Sequence, residues 1–231
     1  MGSGSRAVPA CLLAIVLSTA AGGDTGGLRA RSPFFNGRDL TGWEGNRECW
    51  TVEKGEIVGR MVRFTRCEFL RAAKEVRNFR LVVEVKLVND LGDSGIMFRG
   101  PVTEEGDMPG LMADIGQERW GCLVERSTQK YLAQPADLQV HRGEWNLYEV
   151  VAVGSRVLTA LNGKKCCDLE VPAMPAAGRI GLQLNWGNVE VRFRKLTLEP
   201  NPLRRTQDPQ VGRSRRGVKK SSRGLGFGRF L

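Results

Sequence analysis

The chain has 231 residues, room for one sizeable domain or two small ones, and its 41% hydrophobic share is ordinary for a globular protein. Its formal charge is +10, but residues 200–231 carry nine Lys or Arg against Asp208 alone, so that segment holds +8 and the rest +2. The pI of 9.7 is therefore a property of one end of the chain. The remainder has no zinc-ligand spacing, helix-turn-helix pattern or basic helical stripe, which argues against a specific nucleic-acid binder.

At the start, Arg6 precedes an apolar stretch over residues 10–17, and Ser18-Thr19-Ala20-Ala21 follows. A positive residue, a short apolar run and small residues form the three parts of a secretory signal. The run is shorter than the roughly 20 residues a membrane span needs. The expectation is a removable leader over residues 1–23 and a secreted or periplasmic protein. Five cysteines follow it: Cys49, Cys67, Cys122, Cys166 and Cys167. With no CxxC pair and His141 as the one histidine, no metal site is expected, and no cofactor. The odd cysteine count leaves at least one thiol without a partner in the chain.

The middle of the chain alternates with period two. Over residues 78–88, Phe79, Leu81, Val83, Val85 and Leu87 fall on one side, and Arg80, Glu84 and Lys86 on the other. Val82 and Val88 break the pattern. This is the signature of a half-buried strand. Gly55-Glu56-Ile57-Val58-Gly59 reads as another short strand. Trp145, Leu147, Glu149, Val151 and Val153 share a face of a strand that turns at Gly154-Ser155. The next strand ends at Asn162-Gly163, a hairpin signal. Ile180, Leu182 and Leu184 alternate before Gly187-Asn188 turns into Val189, Val191 and Phe193. Many short strands without a helical period predict an all-β antiparallel sandwich, with room for two sheets of about six strands. Trp43, Trp50 and Trp145 fit packing positions. After Glu199, prolines and basic residues replace apolar ones, so residues 200–231 read as a disordered basic tail suited to anionic polymers.

Several short strings stand in a specific order along the chain. They are Phe35-Asn36-Gly37-Arg38-Asp39-Leu40-Thr41-Gly42-Trp43, Trp50-Thr51-Val52-Glu53-Lys54-Gly55-Glu56-Ile57-Val58-Gly59 and Glu68-Phe69-Leu70. Asp93-Ser94-Gly95-Ile96-Met97-Phe98-Arg99, Ala113-Asp114-Ile115-Gly116, Gly143-Glu144-Trp145-Asn146, Leu161-Asn162-Gly163 and Ile180-Gly181-Leu182-Gln183-Leu184 follow. Over residues 34–199 this set resembles the 3-keto-disaccharide hydrolase domain family. The resemblance implies a concanavalin A-like jelly roll of the lectin/glucanase type, with a sugar groove on its concave face. It also implies cleavage of glycosides oxidised to a ketone at sugar carbon 3. The chain departs from the family pattern at Asp93 and Cys67, where Asn is usual, and at Asn185, where His is frequent. Loss of that His leaves a non-catalytic carbohydrate-binding module as the alternative.

A ketone at carbon 3 acidifies the carbon-2 hydrogen, so elimination of the carbon-1 substituent needs a base, a donor to the enolate oxygen and an acid. Carboxylates and an arginine suffice without a metal. Asp114, an isolated acid in an apolar segment, is the candidate base, with a turn-capping role as its alternative. Glu125 is the second acid. Arg99, on the opposite strand face from Ile96 and Phe98, is the candidate oxyanion grip. Trp120 is a candidate stacking platform. Asp93, His141, Asn185 and Gln183 complete the candidate substrate contacts. The leader predicts a mature N-terminus between residues 22 and 28; N-terminal sequencing from an exporting host would read it, and an intact Met1 would refute the leader.

Overall fold

A computed structural model describes residues 32–63 and 66–202. The leader and almost all of the basic tail thus lie outside the described residues. The fold is a sandwich of two antiparallel sheets, with strands numbered here in chain order. The first sheet runs Lys164–Glu170 (β13), Arg156–Leu161 (β12), Asn146–Val153 (β11), Phe79–Leu87 (β6), Val189–Pro200 (β15), Glu56–Met61 (β4) and Trp50–Glu53 (β3), with Ser32–Pro33 (β1) beside β15. The second runs Lys130–Ala133 (β10), Leu123–Glu125 (β9), Leu111–Ile115 (β8), Ser94–Phe98 (β7), Gly178–Leu184 (β14), Glu68–Val76 (β5) and Trp43–Glu44 (β2). The sheets exceed the expected six strands, partly through the two-residue edges β1 and β2, which are too short for a periodic signal. Among the described residues, no helix is long and apolar enough to cross a membrane.

Alternation decides which faces meet. On β6, Phe79, Leu81, Val83, Val85 and Leu87 are at most 1% exposed and enter the core between the sheets. Arg80 and Glu84 face outward and pair with Glu149 at 2.7 Å and Arg194 at 2.6 Å. On β11 the inward residues are Tyr148, Val150 and Ala152. The face bearing Leu147, Glu149 and Val151 is therefore the outer one. Trp43 and Trp50 are core residues, whereas Trp145 is half-buried beneath the Arg194 guanidinium, 3.9 Å from its ring centroid. The hairpin between β12 and β13 turns at Asn162 and Gly163 with φ of 50° and 80°, the left-handed pair of a type I′ turn.

The second sheet sends Ile96, Phe98, Leu111, Ala113, Ile115, Ile180 and Leu182 into the same core. Its outer face is also largely covered, because the segment 99–110 folds over it and inserts Met108 into a smaller cluster with Phe69, Met97, Met112 and Val124. Hence β7 and β8 are buried along their whole length. The five described cysteines are all free thiols.

The face assignment has a direct test. Leu81→Ala should destabilise the fold by about 2–5 kcal/mol, the usual cost of truncating a buried leucine. Leu147→Ala, at 44% exposure, should change stability by under about 0.5 kcal/mol, as surface substitutions do. Urea denaturation of both variants measures the contrast, and equal losses would contradict the assigned faces.

Candidate active site

Three strands in register make the floor of the site. Gly95 on β7 stands opposite Asp114 on β8 and opposite Gln183 on β14. All three are on the outer face, since Ile96, Ile115 and Leu182 fill the inner one. Asp93 just precedes β7 and Asn185 just follows β14; the Asn185 amide donates to the Asp93 carbonyl at 3.1 Å, which joins the strand ends. These four polar side chains surround a cavity of about 200 Å³, with Arg119, Arg126 and Tyr131. Cys67 and Arg126 separate it from a larger chamber of about 560 Å³ between β5 and the segment 99–110.

Arg119 enters from the single-turn segment Gln117–Arg119 after β8. Its Nη2 donates to Asp93 Oδ2 at 2.6 Å, and its Nε lies 3.9 Å from Asp114 Oδ2. Asn185 Nδ2 donates to the same Asp93 oxygen at 3.1 Å, and the Cys67 thiol donates to Asn185 Oδ1 at 2.8 Å. The three positions where the chain departs from the family pattern are thus one hydrogen-bonded string. Gly116 permits this packing, because a Cβ there would lie 2.6 Å from Asp93 Oδ1.

Around this cavity three buried acceptors have no hydrogen-bond donor among the described residues: Asp93 Oδ1, Asp114 Oδ1 and Gln183 Oε1. Buried polar atoms are normally satisfied, so three orphans around one cavity suit a ligand rich in hydroxyl donors. Burial, reinforced by the neighbouring Asp93, pushes Asp114 up to about 7 against the pull of Arg119. Burial also raises Asp93, although Arg119 and Asn185 oppose it. Arg119 is held above its ordinary value: burial pulls it down, but the two carboxylates outweigh that. The result is a weakly acidic carboxyl beside a permanent cation, suited to accepting a proton near neutral pH.

The structure gathers Asp93, Asp114, Gln183 and Asn185 and separates the other four candidates. Asp114 lies within β8, so it caps no turn. Glu125 lies outside the cavity lining, on the face of β9 opposite Val124, where its carboxylate accepts from Thr128 at 2.7 Å. Arg99 and Asp93 flank opposite ends of β7, about 20 Å apart at roughly 3.3 Å per residue. Trp120 is 3% exposed and part of the central core, so its ring offers no face to a ligand. His141 is an exposed loop residue whose Nδ1 lies 3.3 Å from the Trp145 carbonyl, also outside the lining. The cation and the aromatic ring that do line the cavity are Arg119 and Tyr131. Arg119 sits in a turn with no periodic signal; Tyr131, one of two tyrosines in the chain, lines the rim at 39% exposure.

The raised Asp114 value fixes the sign of a stability effect. The folded state binds more protons than the unfolded chain between pH 3.8 and about 7. Asp114's contribution to stability is therefore greatest below the lower value and is lost as pH rises toward the upper one, by about 1.4 kcal/mol for each pH unit crossed. Asp114→Asn should flatten this slope and exceed wild type in stability at pH 8, with Asp93 leaving a smaller residual slope. Urea unfolding at pH 4, 6 and 8 measures it, and an unchanged slope would refute the assignment.

Comparison with known proteins places this fold in a wider group. A structure described as a "putative glycosyl hydrolase" from Parabacteroides distasonis ATCC 8503 superposes with a TM-score of 0.58 at 20% identity, covering 73% of this chain and 93% of that one. The carbohydrate binding module CBM66 from Bacillus subtilis gives 0.57 at 16% identity, covering 68% and 95%. A Bacillus subtilis protein with a galectin-like fold gives 0.60 at 11% identity, covering 74% and 95%. At these identities the likeness establishes the jelly-roll fold. No curated protein sequence matches the chain. Residues 31–199, which include every strand of the site, match one family along their length, and the chain belongs to it: the 3-keto-alpha-glucoside-1,2-lyase-like domain family.

Proposed function

We propose that this protein cleaves glycosides bearing a ketone at sugar carbon 3, by elimination followed by hydration, outside the cytoplasm. The observation that carries this reading is Asp114: a buried carboxylate raised to about 7, facing a polar cavity beside Arg119. Family membership supports a carbohydrate substrate, and the orphan acceptors suit its hydroxyls. The leader over residues 1–23, the unit over 34–199 and the tail over 200–231 complete the proposed organisation.

In the proposed reaction Asp114 removes the proton from carbon 2, and the C–H electrons form an enolate whose oxygen, at carbon 3, lies toward Arg119. Collapse of the enolate breaks the bond from carbon 1 to the glycosidic oxygen. The proton held by Asp114 passes to that departing oxygen, which leaves an enone and a regenerated carboxylate. Water then adds at carbon 1: Asp114 takes its proton and returns it to carbon 2. Asp93 and Asn185 orient Arg119, while Gln183 Oε1 and the free carboxylate oxygens accept from sugar hydroxyls. Tyr131 offers a partly exposed ring to the sugar face.

One observation favours the second reading, a carbohydrate-binding module without catalysis. Asn185 stands where the family frequently has His, and an amide cannot carry a proton in this chemistry.

Turnover of a 3-keto disaccharide, followed by chromatography of the released sugar, separates the readings. Asp114→Asn should lose at least 100-fold in turnover, within the roughly 10²–10⁴-fold range of general base catalysis. Glu125→Gln should retain wild-type turnover. Full activity in Asp114→Asn would sink the mechanism. Wild-type binding of the sugar without turnover would establish the binding module instead.

A further inference from the structure

At the far end of β7 from Asp93, the chain makes an unusual step. Arg99 adopts φ of +55°, a left-handed conformation unfavourable for a residue with a side chain. The backbone there is wedged: a Cβ on Gly100 would lie 2.2 Å from the Pro109 carbonyl oxygen, and one on Gly178 would lie 2.6 Å from the Gly100 nitrogen. This step takes the Arg99 side chain off the outer face and into the end of the sandwich.

There Arg99 is 1% exposed and has no carboxylate partner among the described residues. Nη1 donates to the Pro175 carbonyl at 3.2 Å and Nη2 to Asn78 Oδ1 at 3.4 Å, while Nε has no acceptor. Arg80, also buried, shows the usual solution: it pairs with Glu149 at 2.7 Å and approaches Glu199 at 3.9 Å. A buried cation that meets only neutral acceptors is an unbalanced charge. Burial and the nearby Arg77 hold Arg99 below its ordinary pKa, with no acid opposing them.

Beside Arg99 lies a cavity of about 320 Å³, walled by Arg77, Asn78, Arg99, Pro172, Met174 and Ala176. At its edge Glu170 accepts from Ser155 at 2.5 Å and pairs with neither arginine. Two arginines and three apolar residues in one lining suit a ligand with a charged head and a carbon body. Guanidinium donors match the paired oxygens of carboxylates and phosphates.

We propose that this cavity binds a small oxyanion-bearing ligand, its charge met by Arg77 and Arg99 and its apolar part seated on Pro172, Met174 and Ala176. The site is separate from the Asp114 cavity and does not depend on the proposed reaction.

The test is thermal unfolding of the full chain titrated with inorganic phosphate or butyrate, each against sodium chloride at equal ionic strength. A ligand that binds only the folded state raises Tm in a saturable way. We expect such a rise with at least one probe, and at least tenfold weaker binding in Arg77→Gln. Arg77 is exposed, so this substitution leaves the core intact. The nine basic residues after Pro202 attract anions in wild type and variant alike, so the difference between the two isolates the cavity. A rise with phosphate alone identifies a phosphate site, and a rise with butyrate alone a carboxylate site. No rise above chloride with either probe, or equal rises in Arg77→Gln, would overturn the proposal.

Discussion

A slip of one residue between β7 and β8 would turn Asp114 into the core and send an apolar neighbour outward, because side chains alternate across a sheet. That slip is blocked by Ile96, Ala113, Ile115 and Leu182, each fully buried between the sheets. The apolar pattern on the inner face therefore sets the positions of Asp114, Gly95 and Gln183 on the outer one. Gly95 contributes by lacking a side chain, because a Cβ there would lie 2.7 Å from the Met112 side chain that packs over the middle of the row. The site is in this sense a by-product of core packing.

Its electrostatics follow from the same burial. Two carboxylates share one guanidinium, and neither is well hydrated, so both pKa values rise despite the cation. The arrangement costs stability at neutral pH, which is the usual condition of a site kept ready for proton transfer. The Cys67–Asn185–Asp93 string fixes one oxygen of Asp93 and leaves the other without a donor. Arg119 is thereby held across both acids from a turn rather than from a strand.

The outer face of the first sheet is a useful contrast. Its charges are mutually satisfied: Arg60 pairs with Glu190 at 2.9 Å, Arg192 with Glu56 at 3.1 Å and Arg194 with Glu84 at 2.6 Å. Such partly exposed pairs contribute little to stability and leave few groups for a ligand. Unsatisfied acceptors gather instead at the Asp114 cavity, and an uncompensated cation at Arg99. The two ends of β7 thus carry opposite unmet demands, one for donors and one for an anion.

Period-two alternation, the Asn162-Gly163 turn and the ordered motifs made the sandwich and its family legible in the sequence, because these signals are local and repeated. Asp114 stood out for a local reason too, as an acid among apolar residues. Arg99 did not follow its strand parity, because a left-handed step forced by packing of Gly100 against Pro109 and Gly178 redirects it. Arg119 comes from a turn, Cys67 from the approach to β5 and Tyr131 from β10, and no spacing in the chain links them to Asp114. Within regular strands such as β6 and β14, sequence alone determined which residues share a face. Only the tertiary structure decided which outward residues meet, since that depends on how sheet register and connecting turns bring distant segments within hydrogen-bonding distance.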